Sequence, residues 1–136
     1  MATIERINTD GVHSPVGNYS HISRVRATEF LYLAGQVSVD ANGVFVGIGD
    51  IKTQVRQIYD NMGRILESAG ASYANVVQFT TYIVGRENVE EFLEERTNII
   101  TDLFPNGDYP PSTLLIIDAL YSPEALAEVT AVAAIN

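Results

Sequence analysis

Val76-Val-Gln-Phe-Thr-Thr-Tyr-Ile-Val84 is the stretch on which the fold turns. Its β-branched and aromatic residues read as a strand. Both alternating sets are largely apolar: Val76, Tyr82 and Val84 in one, Val77, Phe79 and Ile83 in the other. A strand of that kind wants burial on both faces of its sheet. Upstream, Ile51, Val55, Ile58, Tyr59, Met62, Ile65, Leu66 and Ala69 fall on one face of a helix over 51–69. Asp50 is placed as its N-cap and Gly70 as its stop. Downstream, Val89, Phe92, Leu93, Ile99, Ile100 and Leu103 form the stripe of a second helix over 88–104. Asn88 with Glu91 three positions later reads as its N-terminal cap. Pro105 and Asn106-Gly107 end it.

Further out, Tyr109-Pro-Pro111 leads into a strand over 112–120, apolar on both sides in the same way (Leu114, Ile116, Leu120 against Leu115, Ile117, Ala119). Residues 126–135 make the last strand. Before the first helix, 29–39 reads as a strand, Asn42-Gly43 as a tight turn, and 44–46 as a short returning strand. Residues 16–26 read as irregular and polar. The order, strands followed by α-β-α-β-β, predicts an α+β protein: one mixed sheet with two helices packed on one face, in a single domain over 1–136. Two helices cover one face only. The other face is therefore expected to be buried against further copies of the chain.

Composition narrows the function. The chain has 136 residues, 8 Lys+Arg against 17 Asp+Glu, and a formal net charge of −9. Binding to nucleic acid depends on neutralising phosphates, and no basic stripe is present to do so. Anionic membrane surfaces are disfavoured for the same reason. With no cysteine, disulfides, thiol nucleophiles, thiolate zinc sites and iron–sulfur clusters are excluded. No apolar run spans a bilayer and no signal peptide is readable, so the expected compartment is the cytoplasm.

Few residues offer chemistry. His13 and His21 are the only histidines, and no spacing suggests a metal site. Ser20 and His21 are adjacent and point apart on an extended chain, so they form no nucleophile–base pair. Gly47-Ile-Gly49 precedes a helix, but Lys52 stands where a dinucleotide motif needs its third glycine and Asp50 adds negative charge. A loop needing glycine freedom is the better reading. Arg96 sits in the middle of the second helix's apolar stripe, where a permanent cation must find acceptors. It answers either to an internal partner or to a ligand carboxylate. Glu128 lies in an otherwise apolar or small segment, Leu126-Ala-Glu-Val-Thr-Ala-Val-Ala-Ala-Ile135. It is either a strand-end charge or an acid/base.

Several segments together resemble the Rid (YjgF) family of reactive-intermediate, or enamine/imine, deaminases over nearly the whole chain. Gly17-Asn-Tyr19-Ser20 resembles the family's Gly-Pro-Tyr-Ser. Leu31-Tyr-Leu-Ala-Gly35-Gln36 resembles its strand ending in Ser-Gly-Gln. Tyr109-Pro-Pro111-Ser112-Thr113 resembles its Pro-Ala-Arg-Ser/Thr, and Ala127-Glu128-Val129 its Val-Glu-Ile. Gln54, Asn61, Leu66, Ala69-Gly70-Ala71 and Val76-Val77 resemble its first helix and the following strand. The resemblance implies a chorismate-mutase-like fold and a homotrimer with ligand clefts between subunits. It implies hydrolysis of enamines and imines to ketones with release of ammonia, without metal or cofactor. Glu128 is the implied acid/base near the attacking water. Tyr19, Gly35, Gln36, Ser112 and Thr113 are the implied substrate-binding residues.

The chain departs from the family pattern at telling points. Counting back from Leu120, Ser112 stands where the deaminating members carry an arginine that clamps the substrate carboxylate. Ala34 replaces a serine, and one extra residue lies between Leu120 and Glu128. Arg96, near an asparagine position of the family, is a candidate replacement clamp. The expected function is an imine deaminase with a non-standard substrate. The alternative is a non-catalytic trimer that binds a small molecule or another protein. A third reading, a ribonuclease or translation inhibitor, is opposed by the charge.

Overall fold

The computed structural model describes residues 2–136. Six strands and two helices follow in the order β1 (Thr3–Ile7), β2 (Ile22–Arg26), β3 (Glu29–Gln36), α1 (Ile51–Ser68), β4 (Val76–Val84), α2 (Val89–Leu103), β5 (Ser112–Ile117) and β6 (Ala127–Ile135). The main sheet has the order β3-β6-β4-β5, and β1 pairs with β2 separately. β6 is antiparallel to both β3 and β4, whereas β4 and β5 are parallel. The sheet is thus mixed, as expected.

This topology accounts for both helices lying on one face. β3 and β4 run the same way on either side of β6, and α1 connects them. α2 connects the parallel pair β4 and β5. Both crossovers step across the sheet in the same direction, and right-handed crossovers in one direction place their helices on one face. The core forms there, from Ile51, Val55, Ile58, Tyr59, Met62 and Leu66 of α1, Phe92 and Ile100 of α2, and Phe79, Ile83, Val129 and three alanines of the sheet. Each of these large side chains contributes about 1.5–3 kcal/mol by leaving water.

No helix packs on the other face. Phe30, Tyr32 and Leu115 point that way and remain 46%, 78% and 42% exposed. Their neighbours Tyr82 and Val132 are half-buried.

Both ends of α1 follow the sequence reading. The Asp50 carboxylate accepts from the Thr53 N–H at 3.3 Å and the Thr53 hydroxyl at 2.7 Å. These bonds hold it below the usual carboxylate range. Gly70 takes the positive φ (74°) that ends the helix. The cap of α2 differs. Asn88 is itself helical and its side chain does not cap; its amide donates to the Val84 carbonyl at 2.8 Å. A short 3-10 turn, Arg86–Asn88, feeds the helix instead. Glu90 and Glu91 in the first turn still favour that end through the helix dipole.

The strand edges hold the other differences. Residues 22–26, read as irregular, form β2, and its partner β1 carries no strong apolar signal. The pair is in register from Thr3 with Arg26 to Ile7 with Ile22, and Arg6 ties it down by donating to the Ser23 hydroxyl at 2.7 Å and the Val76 carbonyl at 2.9 Å. β3 stops at Gln36, short of 39, because its register with β6 shifts between Leu33 and Gln36. Beyond it, the Val37 and Val39 carbonyls accept from the Asn61 side chain. The expected strand over 44–46 is reduced to one bridge, Val39 with Phe45. Asp40 organises that turn by accepting from the N–H groups of Asn42 and Val44. β5 ends at Ile117 rather than at 120.

Gln54 is fully buried on α1. Its amide donates to the carbonyls of Gly47 (3.1 Å) and Glu124 (2.8 Å), and its oxygen accepts from the Leu126 N–H at 3.0 Å. It thereby ties the helix to the loop before it and to the start of β6. Gln54→Ala breaks all three bonds and opens a cavity. The expected cost is about 2–4 kcal/mol, read as a lowered urea midpoint. An unchanged midpoint would show that these bonds contribute nothing net.

Candidate functional site

The sequence-derived site residues fall into two groups. Tyr19, Arg96, Ser112 and Thr113 line one cavity of about 700 Å³. It lies among the 16–19 loop, α2, β4 and β5. The loop is pinned to α2 through Asn18, whose carbonyl accepts from Arg96 Nη2 at 3.4 Å and whose side chain accepts from the Thr97 hydroxyl at 3.1 Å. Tyr19 is held within the loop: its N–H donates to the Gly17 carbonyl at 3.0 Å and its hydroxyl accepts from the Val16 N–H. Tyr19, Ser112 and Thr113 also wall a second hollow of about 360 Å³, with Ser20 and His21.

Glu128 and Gly35 make the other group. Glu128 sits in β6 opposite Tyr82 of β4, and its side chain occupies the space over Gly35. A Cβ added at Gly35 would lie 2.8 Å from the Glu128 carboxyl carbon and 3.1 Å from its Cγ. Glycine is required there by close approach, not by backbone angle. Gln36 faces a different hollow, with Gln57 and Asn61; its amide donates to the Ala34 carbonyl at 3.3 Å. Thr113 is in register with Thr80, and Thr80 with Thr130, so Thr113 shares the helix-free face with Glu128. The two lie two strands apart, roughly 10 Å across the sheet.

Gly35→Ala is expected to dislodge Glu128 without unfolding the chain, because the obstructed group is the end of a flexible side chain. The thermal midpoint should move little while the Glu128 carboxylate shifts, as a crystal structure of the variant would read. A variant in which the carboxylate keeps its place would show that Gly35 does not set its seat.

Arg96 answers the question its position raised. It is 6% exposed; the Asn18 carbonyl accepts from its Nη2 at 3.4 Å, and the Tyr59 hydroxyl lies beside it. The salt bridges of the described residues, Lys52–Glu94, Arg56–Glu95 and Arg64–Asp60, leave it out. Its Nε has no partner, and neither does the Thr81 hydroxyl or the Tyr59 hydroxyl, all three buried. Thr81 lines the same cavity. Burial pushes the Tyr59 hydroxyl up, with the nearby Arg96 charge opposing it. Thr81 and Tyr59 escaped the sequence reading because a threonine in a strand and a tyrosine in an apolar stripe are ordinary core residues. Only the packing reveals that their hydroxyls lack partners.

The remaining candidates serve structure. His21 Nδ1 accepts from the Thr9 N–H at 3.0 Å, so Nε2 carries the proton and donates to the His13 carbonyl at 3.0 Å. Both ring nitrogens are thus committed to the loop. Gly47 and Gly49 both have positive φ, and a Cβ at Gly47 would lie 2.7 Å from that of Thr53. These glycines shape the entry to α1. Among the described residues, no cluster of three or more His, Asp or Glu is arranged to hold a metal ion. Among the described residues, no helix is long and apolar enough to cross a membrane.

Residues 11–135 match the family model described as endoribonuclease L-PSP. A RutC family protein of Pyrococcus horikoshii is 30% identical over 129 residues, covering 95% of this chain and 96% of that protein. The crystal structure of YyfB from Yersinia pestis, a Rid family protein described as of unknown function, superposes with a TM-score of 0.85 at 30% identity. The match covers 97% of this chain and 98% of that one. YyfA from the same organism, also a Rid family protein, gives a TM-score of 0.69 at 26% identity, over 98% and 100% of the two chains.

Proposed function

Because the chain belongs to the endoribonuclease L-PSP family, the Rid or YjgF group, we propose that it is a cofactor-free enamine/imine deaminase acting in clefts between the subunits of a homotrimer. The observation that carries this reading is the seat of Glu128. Its carboxylate stands over Gly35 on the sheet face that no helix covers. That face is where a second copy would pack, bringing its own Tyr19–Ser112–Thr113 wall toward Glu128.

The chemistry suits a single carboxyl group. An enamine tautomerises to the imine, and water adds to the C=N carbon. The carbinolamine then collapses to a ketone and expels ammonia. Glu128 takes a proton from the attacking water and passes it to the imine nitrogen, then takes the carbinolamine hydroxyl proton as the C–N bond breaks and passes it to the leaving nitrogen, so one residue serves both steps and both protons of water end on ammonia. Tyr19 supplies a ring against the substrate, and Thr113 a hydroxyl at the edge of the cleft. Ser112 offers no charge to an acid group, so the substrate lies outside the set that an arginine at that position would hold.

The test is ammonia release by purified protein. One set of imines is generated in situ by an amino-acid oxidase, the other is prepared from neutral amines, and Glu128→Ala runs beside wild type. Acceleration lost in the variant supports the deaminase. No acceleration on either set overturns it in favour of a ligand-binding trimer without turnover, a reading that Ser112 also favours.

A further inference from the structure

We infer that Arg96 and Thr97 are positioning residues: consecutive side chains of α2, they hold both polar ends of Asn18 and so fix the loop that presents Tyr19. This deepens the proposed function and rests on it for one point, that the Tyr19 ring packs against the substrate. Residues 8–21 lie outside every strand and helix, so no ladder of backbone bonds holds them. Asn18 is where they meet the helix layer. Its carbonyl accepts from Arg96 Nη2 at 3.4 Å and its Oδ1 from the Thr97 hydroxyl at 3.1 Å. Tyr19 is the next residue. Its N–H donates to the Gly17 carbonyl at 3.0 Å, its hydroxyl accepts from the Val16 N–H at 3.4 Å, and a Cβ at Gly17 would lie 3.9 Å from its ring. Ring and loop are therefore one unit, and what fixes Asn18 fixes the ring.

The helix gives both contacts away from itself. A threonine on an exposed helix face commonly donates back to its own helix. Thr101, one turn later, does so, donating to the Thr97 carbonyl at 2.8 Å. Thr97 instead donates to a residue 79 positions away. Arg96 is buried, with the Tyr59 hydroxyl of α1 beside it, so its stem is set by the packing of the two helices and only its tip reaches the loop. The consequence falls on binding. Ser112 supplies no charged clamp, so a neutral substrate depends on the ring for its orientation. A contact made equally in the bound substrate and in the transition state acts on KM and leaves kcat alone. That separates these residues from Glu128, whose loss acts on kcat.

The test combines ammonia release from neutral imines with amide hydrogen exchange over residues 16–20, both on the full-length protein. Thr97→Val keeps the shape and removes the hydroxyl. It should raise KM about fivefold, and Arg96→Met about tenfold or more, with kcat within about twofold of wild type in each. Thr97→Ser keeps the hydroxyl and should restore KM. If the clamp acts through the ring, Thr97→Val added to Tyr19→Leu should change KM no further. Exchange at 16–20 should quicken about fivefold in Thr97→Val while that of β4 stays as it was. Thr97 is exposed, so its variants serve should Arg96→Met fail to fold. Unchanged KM in Thr97→Val, a Thr97→Ser protein no better than Thr97→Val, or an added effect in the Tyr19→Leu background would overturn the inference. The two readings fail separately. Faster exchange in Thr97→Val with no imine turned over by wild type removes the deaminase and leaves the loop clamp. Turnover with both KM and exchange unaltered in Thr97→Val does the reverse.

Discussion

Ammonia release by the Glu128→Gln protein is expected to fall by about 10²–10⁴-fold, the span a positioned general acid/base contributes. Glutamine keeps the size and one hydrogen-bonding oxygen of the side chain but can neither take nor return a proton. The loss should therefore appear in kcat, with KM little changed. Stability should hardly move, because Glu128 is half-buried on the face that no helix covers. If Glu128→Gln turns over imines at the wild-type rate, the proton transfers belong to another group. Gly35→Ala is the companion variant. It leaves the carboxylate intact and changes only where it stands, so position and protonation are tested separately.

Val132→Asp is expected to produce a folded monomer with activity reduced at least a hundredfold. Val132 lies near the middle of β6, opposite Tyr32 on one side and beside Gln78 on the other. Around it, Phe30, Tyr32 and Leu115 leave an apolar surface on a chain otherwise strongly acidic. Water tolerates an aspartate there, whereas an interface between copies does not, since an unpaired charge would be buried. Light scattering should report the mass of one chain for the variant and of three for wild type. Far-ultraviolet circular dichroism should be the same for both. Activity should fall with the assembly, because Glu128 of one copy would lose the Tyr19 wall of its neighbour. A monomeric wild type, or a fully active monomeric variant, would remove the intersubunit cleft from the proposal.

The long periodic elements were legible in the sequence because their burial patterns are local. α1 declared itself by an apolar stripe between Asp50 and Gly70, and β4 is bounded where its apolar run stops, at Val76 and Val84. The edges were not legible. β2 is half-exposed and polar, so its pairing with β1 depends on residues about twenty positions away. The end of β3 depends on a register shift against β6, a strand about a hundred residues later. Asn88 has the composition of a cap, yet the 3-10 turn before it places its side chain on the Val84 carbonyl instead.

The site divides along the same line. The sequence by itself determined the fold class, the family resemblance, the isolation of Arg96 in an apolar stripe and the missing cation at Ser112. The fold class and the isolation of Arg96 are read from residue type and spacing, whereas the missing cation at Ser112 is what the resemblance to the family implies. Only the tertiary structure decided that Arg96 has no counter-ion, that the hydroxyls of Thr81 and Tyr59 also lack partners, and that Glu128 stands over Gly35. Whether a polar group is satisfied depends on atoms brought to it from distant parts of the chain. No local pattern encodes that, because the same arginine, threonine or glutamate is ordinary until its neighbours are in place.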